Sequence, residues 1–270
     1  MAPEPAPALG CVRIWYPRVG STMDVAMALG VDGAPHGTLV EAGEQTAGRG
    51  RLGRRWMAPP GSAFLGSWLL RVPQGVELAA LSPAVAAAVM RAISALAPDA
   101  PVTYKWPNDV LIDGRKVAGI LLTGRAMAGE TIVIAGTGIN VALASVPPDV
   151  PATCLTEWAS VTITDVRDRL VAELDAVVPG ALAGRGLPAA ERELLEARMA
   201  LRGEPVEVLL PDEAITGIAA GLMPDGGLRL RSLDGRSTRV LHVGEIARGP
   251  RGAAGTESQT AVYFQDNGVR

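Results

Sequence analysis

Residues 78–97, "LAALSPAVAAAVMRAISALA", form an Ala-rich apolar run carrying one charge, Arg91. A helix that is apolar on nearly every side cannot lie on a surface and must be covered by other elements. Pro83 marks its start or a kink, because proline has no N–H to donate within a helix. The material to cover it lies on both sides. "VRIWY" (12–16), "GTLVEAGEQ" (37–45), "SAFLGSWLLRV" (62–72), "VTYKWPNDVLID" (102–113), "RKVAGILLT" (115–123) and "ETIVIAGTGINV" (130–141) are all β-type runs. Asp113-Gly114 between two of them is a hairpin signal. "STMDVAMAL" (21–29) offers a Ser or Thr N-cap and then helix formers. "TDVRDRLVAELDAVV" has apolar residues at 166, 170, 174 and 177, the spacing of an amphipathic helix over 164–178 with Thr164 as candidate N-cap. A further helix is expected over 189–201. The mixed order predicts an α+β domain, a mixed β-sheet packed with helices.

The pattern changes near Gly203. From 204 to 248 the chain has short alternating runs ("PVEVLL", "ITGIAAGL", "GLRLRSL", "STRVLHV") broken by Gly, Asp and Pro, which predicts a small all-β barrel. The expected division is a main domain over 1–202, a small β domain over 203–248 and a flexible tail over 249–270. No fixed-period repeat is present.

Composition narrows the function classes. A net charge of −3 over 270 residues argues against a general nucleic-acid binder. The two cysteines, Cys11 and Cys154, lack metal-ligand spacing and imply no disulfide framework, so a reducing cytoplasm is the expected location. "MAPEPAPALG" has neither the basic nor the apolar region of a signal peptide. No apolar run approaches the roughly 20 residues of a membrane span. His36 and His242 are too few for the commonest zinc sites, so no protein-held metal is expected, and His36 beside Gly37 reads as a turn residue. Neither a Gly-x-Ser-x-Gly elbow nor a Walker A loop occurs.

Two constellations carry chemistry. The first is "EQTAGRGRLGRRW" (44–56), with four arginines, three glycines and a tryptophan. Glycines let backbone N–H groups approach an oxyanion, and arginines supply forked donors for carboxylate and phosphate. A solvated surface loop has the same composition. A second Ala-Gly-Arg-Gly, at 183–186, lies in plain linker sequence and shows that the tetrapeptide alone means little. The second constellation is "KWPNDVLIDGRKVAGIL" (105–121), which sets Lys105, Asn108, Asp109 and Lys116 in an apolar strand pair. Charges there need partners, either each other or a ligand. Asn140 in "GTGINV" is a third polar residue, ending an apolar strand.

Taken in order, "STMD", "EQTAGRGRLGRRW", "KWPNDVLIDGRKVAGIL" and "GTGINV" resemble the biotin protein ligase family, and "ITGIAAGLMPDGGLRLRSLDG" is similar to the SH3-like domain that closes these ligases. The resemblance covers most of residues 12–248. It implies a class II synthetase-like catalytic domain and a two-step reaction. Biotin's carboxylate attacks the α-phosphorus of MgATP, giving biotinyl-5′-AMP. A lysine of a carboxylase's biotin carboxyl carrier domain then attacks the anhydride. The cofactors implied are ATP, Mg2+ and biotin as substrate. The residues implied around biotin are Ser21, Thr22, Met23, Gln45, Gly48, Arg49, Gly50, Arg51, Lys116 and Gly119. Those implied around ATP are Arg51, Arg54, Trp56, Lys105, Asn108, Lys116 and Asn140, with Trp56 facing the adenine. Lys116, Arg49 and Arg51 are the implied catalytic cations, and Asp109 would orient or deprotonate the acceptor lysine. The chain departs from the family at Met23, where asparagine is usual, and at Thr123, where a glutamate is frequent. The short stretch before "STMD" leaves no room for the DNA-binding domain of the bifunctional members, so no sequence-specific DNA binding is expected. Two rivals share these residues: a lipoate or octanoate ligase on the same kind of domain, and an arginine-loop nucleic-acid-binding module. A scaffold that keeps the motifs without the activity is a third.

Overall fold

The computed structural model describes residues 8–142, 151–184 and 186–248. The expected tail, 249–270, and Arg185 of the second Ala-Gly-Arg-Gly lie outside the described residues.

Seven strands build one sheet: β1 (Arg13–Tyr16), β2 (Leu39–Ala42), β3 (Ala63–Pro73), β4 (Val102–Lys105), β5 (Asp109–Ile112), β6 (Arg115–Ala126) and β7 (Glu130–Asn140). Their spatial order is β1-β2-β3-β7-β6-β5-β4, parallel only between β1 and β2. The central strands are covered on both faces, which is why they read as continuous apolar runs. Phe64, Trp68, Leu70, Val133, Ala135 and Ile139 face the larger core, while Leu69, Ile132 and Ile134 face a smaller one. Helix α1 (Thr22–Val31) closes the smaller core with Met23 and Ala26. Helix α2 (Leu81–Leu96) lies on the other face, packed against β4 to β6, with α3 (Ile163–Leu182) and α4 (Ala189–Ala197) outside it. Its residues from Ala84 to Met90 are all 0% exposed, as the apolar run required. Pro83 sits in the first turn of α2, where its missing N–H has no intrahelical acceptor to lose.

The run 102–113 is two antiparallel strands, with the ladder closing at Lys105 opposite Asp109 and interrupted at Trp106-Pro107, where proline has no N–H to donate. Helix ends differ from expectation. Helix α3 is capped by Thr162, not Thr164. Its Oγ1 accepts from Asp165 N at 3.2 Å, while Asp165 Oδ2 accepts from Thr162 N at 2.8 Å, a reciprocal box that the Thr-x-x-Asp spacing offers only from residue 162. Helix α4 stops at Ala197 because the following backbone pairs with the edge strand: Tyr104 N donates to Arg198 O and Ala200 N to Tyr104 O, each at 2.8 Å. The Asp113-Gly114 turn is as expected, both residues at positive φ (51° and 71°).

The C-terminal part is all-β. Strands β8 (Pro205–Leu209), β9 (Ala214–Leu222), β10 (Leu228–Arg231), β11 (Thr238–Leu241) and β12 (Glu245–Arg248) form a second sheet, antiparallel throughout, in the order β11-β10-β9-β8-β12.

Candidate active site

The start of α1 brings the first polar group together. Ser21 is the N-cap, its Oγ accepting from Met23 N at 3.3 Å. Gln45 Oε1 accepts from Thr22 N at 2.8 Å and from Thr22 Oγ1 at 3.0 Å. Ser67 Oγ lies 2.8 Å from Thr22 Oγ1. Because Thr22's single proton goes to Gln45, Ser67 is the donor of that pair. These are neutral groups held in fixed orientation on the side of the sheet that α1 covers, with Ser21, Thr22 and Ser67 buried and Gln45 half-buried. Met23 points elsewhere. Its side chain is buried among Ala26, Val40, Leu69 and Ile134, with its sulfur against Gly136, so the residue that departs from the family contributes packing.

The arginine loop is folded back on itself. Trp56 N donates to Gly48 O at 3.0 Å and Gly50 N to Arg54 O at 2.7 Å, around a single turn at Arg51–Gly53. Its four arginines go to four places. Arg49 reaches Asp24 in the first turn of α1 at 3.1 Å, with both groups largely solvated. Arg51 Nη1 donates to Asn108 Oδ1 at 3.2 Å. Arg54 forms a two-pronged ion pair with Glu245 of β12. Arg55 donates to the carbonyl of Thr46. The loop closes with Trp56, whose ring lies flat on the sheet over Gly119 and Gly138. A Cβ at those positions would come within 3.0 and 2.5 Å of the ring, so only glycine leaves room for it.

The second constellation meets the loop there. Lys116 Nζ lies 2.7 Å from Asp109 Oδ1 and 5.5 Å from the centroid of the Trp56 ring. Asn108 Nδ2 donates to Ile120 O at 3.0 Å, so Asn108 ties Arg51 to β6. Burial pushes the Arg51 guanidinium below its ordinary value, and the nearby Asp109 pushes it back. Tyr104, fully buried beside Asp109, has its phenol pushed far up, so it remains a donor, to Pro107 O at 2.8 Å. Asn140 is an organiser of this region: its Nδ2 donates to Thr153 O at 3.1 Å and approaches Lys116 O at 3.5 Å. The 151–153 segment completes the clamp, Lys116 N donating to Pro151 O at 2.7 Å and Thr153 N to Lys116 O at 3.0 Å. Lys105 stands at the end of β4, in register with Asp109.

Many of the sequence-predicted residues therefore fall into one region with two ends, while Met23 turns into the smaller core and Arg54 to the C-terminal sheet. Neutral acceptors and donors (Ser21, Thr22, Gln45) with Arg49 make one end; Arg51, Asn108, Asp109, Lys116 and Trp56 make the other. Ser67, Asp24 and Glu245 were not among the residues singled out. A lone serine within "SAFLGSWLLRV" was a signal for the first; the other two are ordinary surface acids in sequence. Glu245 joins the loop to the C-terminal sheet with both partners about 70% buried, so a contribution of about 1 kcal/mol is expected. Glu245→Gln is expected to lower Tm by about 2–4 °C. An unchanged melting curve would make the pair a surface contact only.

Residues 15–140 match the biotin/lipoate A/B protein ligase family and residues 202–249 the biotin protein ligase C terminal domain. The chain is 37% identical, over 242 residues, to a biotin–[acetyl-CoA-carboxylase] ligase of Paracoccus denitrificans, covering 85% of this chain and 97% of that protein. Its structure is similar to that of the biotin protein ligase from Aquifex aeolicus in complex with biotin and ATP, with TM-score 0.70 and 29% identity over 87% of this chain and 97% of that one. A biotin protein ligase from Leishmania major in complex with biotinyl-5-AMP matches with TM-score 0.56 and 25% identity, covering 86% and 98% of the two chains.

Proposed function

The chain belongs to the biotin protein ligase family, and we infer from that premise that it activates biotin with ATP and transfers it to protein. The observation that carries the chemistry is the convergence of Arg51 and Lys116 on Asn108 and Asp109, next to the neutral Thr22–Gln45–Ser67 group. Two anions, a carboxylate and a triphosphate, must meet in the first step, and fixed cations lower the cost of bringing them together. Biotin's ureido ring is neutral and polar, and Ser21, Thr22 and Gln45 offer it neutral partners. Its carboxylate then lies toward Arg49, Arg51 and Lys116. The nucleotide lies toward Arg54, Trp56, Lys105, Asn108 and Asn140. Carboxylate oxygen attacks the α-phosphorus, the bond to pyrophosphate breaks, and biotinyl-5′-AMP forms. Mg2+ enters on the triphosphate as part of the substrate. Among the described residues no cluster of His, Cys, Asp or Glu is suited to hold it alone.

In the second step a carrier-domain lysine attacks the anhydride carbonyl and AMP leaves. The amine must be neutral, against a free pKa of about 10.4. Asp109 is the carboxylate assigned to orient it and take its proton. The acceptor is a biotin carboxyl carrier domain of a carboxylase, the catalytic unit is 1–202, and the work is done in the cytoplasm. No described helix is long and apolar enough to cross a membrane. The lipoate reading is disfavoured by the match of residues 202–249 to a biotin ligase C-terminal domain.

The direct test is exchange of labelled pyrophosphate into ATP. Exchange is expected with biotin and MgATP and absent without biotin. Exchange supported by lipoate or octanoate in place of biotin would assign the site to the rival acid.

A further inference from the structure

The Trp106–Asn108 turn, which carries Asn108 and leads into Asp109, is held in part by the other domain. Trp106 is 2% exposed, and its Nε1 donates to Gly226 O at 3.2 Å, across 120 residues of chain. A buried indole N–H needs a partner. Trp56, Trp68 and Trp158 bury theirs without one, whereas Trp106 finds its acceptor in the turn between β9 and β10.

That acceptor is itself fixed. Met223 N donates to Gly227 O at 2.8 Å, and Asp225 Oδ1 accepts from Gly227 N at 2.9 Å. His242 Nε2 lies 2.8 Å from Asp225 Oδ2, and Leu187 N donates to Pro224 O at 2.6 Å. Gly226 has φ +84°, and a Cβ there would lie 2.5 Å from Pro83 Cγ, so the turn is pressed onto the first turn of α2. Ser82, beside Pro83, donates to Pro107 O at 3.4 Å. The 106–108 turn is thus suspended from α2, from the C-terminal sheet and from β6.

We propose that Trp106 is a positioning residue. Through its bond to Gly226 the C-terminal domain sets where Asn108 and Asp109 stand, and hence the geometry offered to the nucleotide. The inference rests on the ligase reading for its assay. Thr22, Gln45 and Ser67 bond to one another and not to this turn, so the partners of biotin's ureido ring do not depend on it, whereas Arg51 and Lys116 meet it through Asn108 and Asp109.

The test is Trp106→Phe, which keeps most of the ring and removes the N–H. In pyrophosphate exchange the KM for ATP is expected to rise about 3- to 10-fold, the loss of one neutral hydrogen bond, while the KM for biotin, whose ring partners are untouched, rises less. Asp225→Ala, which loosens the turn from outside the site, is expected to give the same selective change, smaller, and little further change when combined with Trp106→Phe. An unchanged KM for ATP, or equal rises for ATP and biotin, overturns the proposal. If Trp106→Phe does not fold, Asp225→Ala decides on the same criteria. If wild type shows no biotin-dependent exchange, the ligase reading fails. ATP affinity of the same variants by calorimetry then tests the positioning alone, a selective loss supporting it and no loss overturning it.

Discussion

Lys116→Ala is expected to lower biotin-dependent pyrophosphate exchange by more than about 100-fold, a few kcal/mol of transition-state stabilisation. The structure sharpens the reason. Lys116 is the second residue of β6, its backbone clamped on both sides, N to Pro151 and O to Thr153, so its Nζ is delivered to one place. There it meets Asp109 at 2.7 Å and lies 5.5 Å from the centroid of the Trp56 ring. Removing it takes one cation from the two anions and leaves the largely buried Asp109 carboxylate without its counter-charge, which repels both further. The fold should survive, since the clamp uses backbone atoms. Exchange rates near wild type in a well-folded variant would reduce Lys116 to a structural partner of Asp109.

Arg51→Gly is expected to leak. Arg51 opens the single turn at the tip of the loop and ties it down through Asn108 at 3.2 Å. Its neighbour Leu52 is held at φ 55°, a conformation that a less constrained loop would readily leave. The change removes a forked donor and adds backbone freedom at the same point. Loss of one charge-assisted contact of about 1.5–3 kcal/mol would raise release of biotinyl-AMP by about 10- to 150-fold where loop opening limits it. Adenylate formation should suffer less, because Arg49 and Lys116 remain. The variant should biotinylate bystander lysines on albumin, whereas wild type is expected to label a carrier domain. A biotin blot with MgATP, biotin and albumin reads this, together with a direct assay of free adenylate. A variant that makes adenylate yet retains it as wild type does would show that Arg51 is not the latch.

The elements were legible because their signals are local. Continuous apolar runs at 62–72 and 130–141 identify strands covered on both faces, and the apolar character of 78–97, broken by one charge at Arg91, identifies a largely buried helix. The Thr162–Asp165 box was also present in the sequence, two residues before the cap expected. The arginine loop, Lys116, Asn108 and Asp109 were visible as charges and glycines in places that demand a reason. Their assignment to biotin and ATP came from the order of motifs, since spacing alone left a solvated loop and an internal Lys–Asp pair open.

Tertiary structure alone decided the partners. Thr22 meets Ser67 because β3 lies beneath the start of α1; Arg54 meets Glu245, and Trp106 meets Gly226, because the C-terminal sheet docks against α2 and the loop. None of these pairs has a local signature, since residues 45 to 191 apart share no hydrogen-bonding period. Sequence periodicity reports how each segment satisfies its own backbone and which side it buries. Which distant group then completes a buried donor or charge depends on strand order and domain docking, set by the packing of the whole chain.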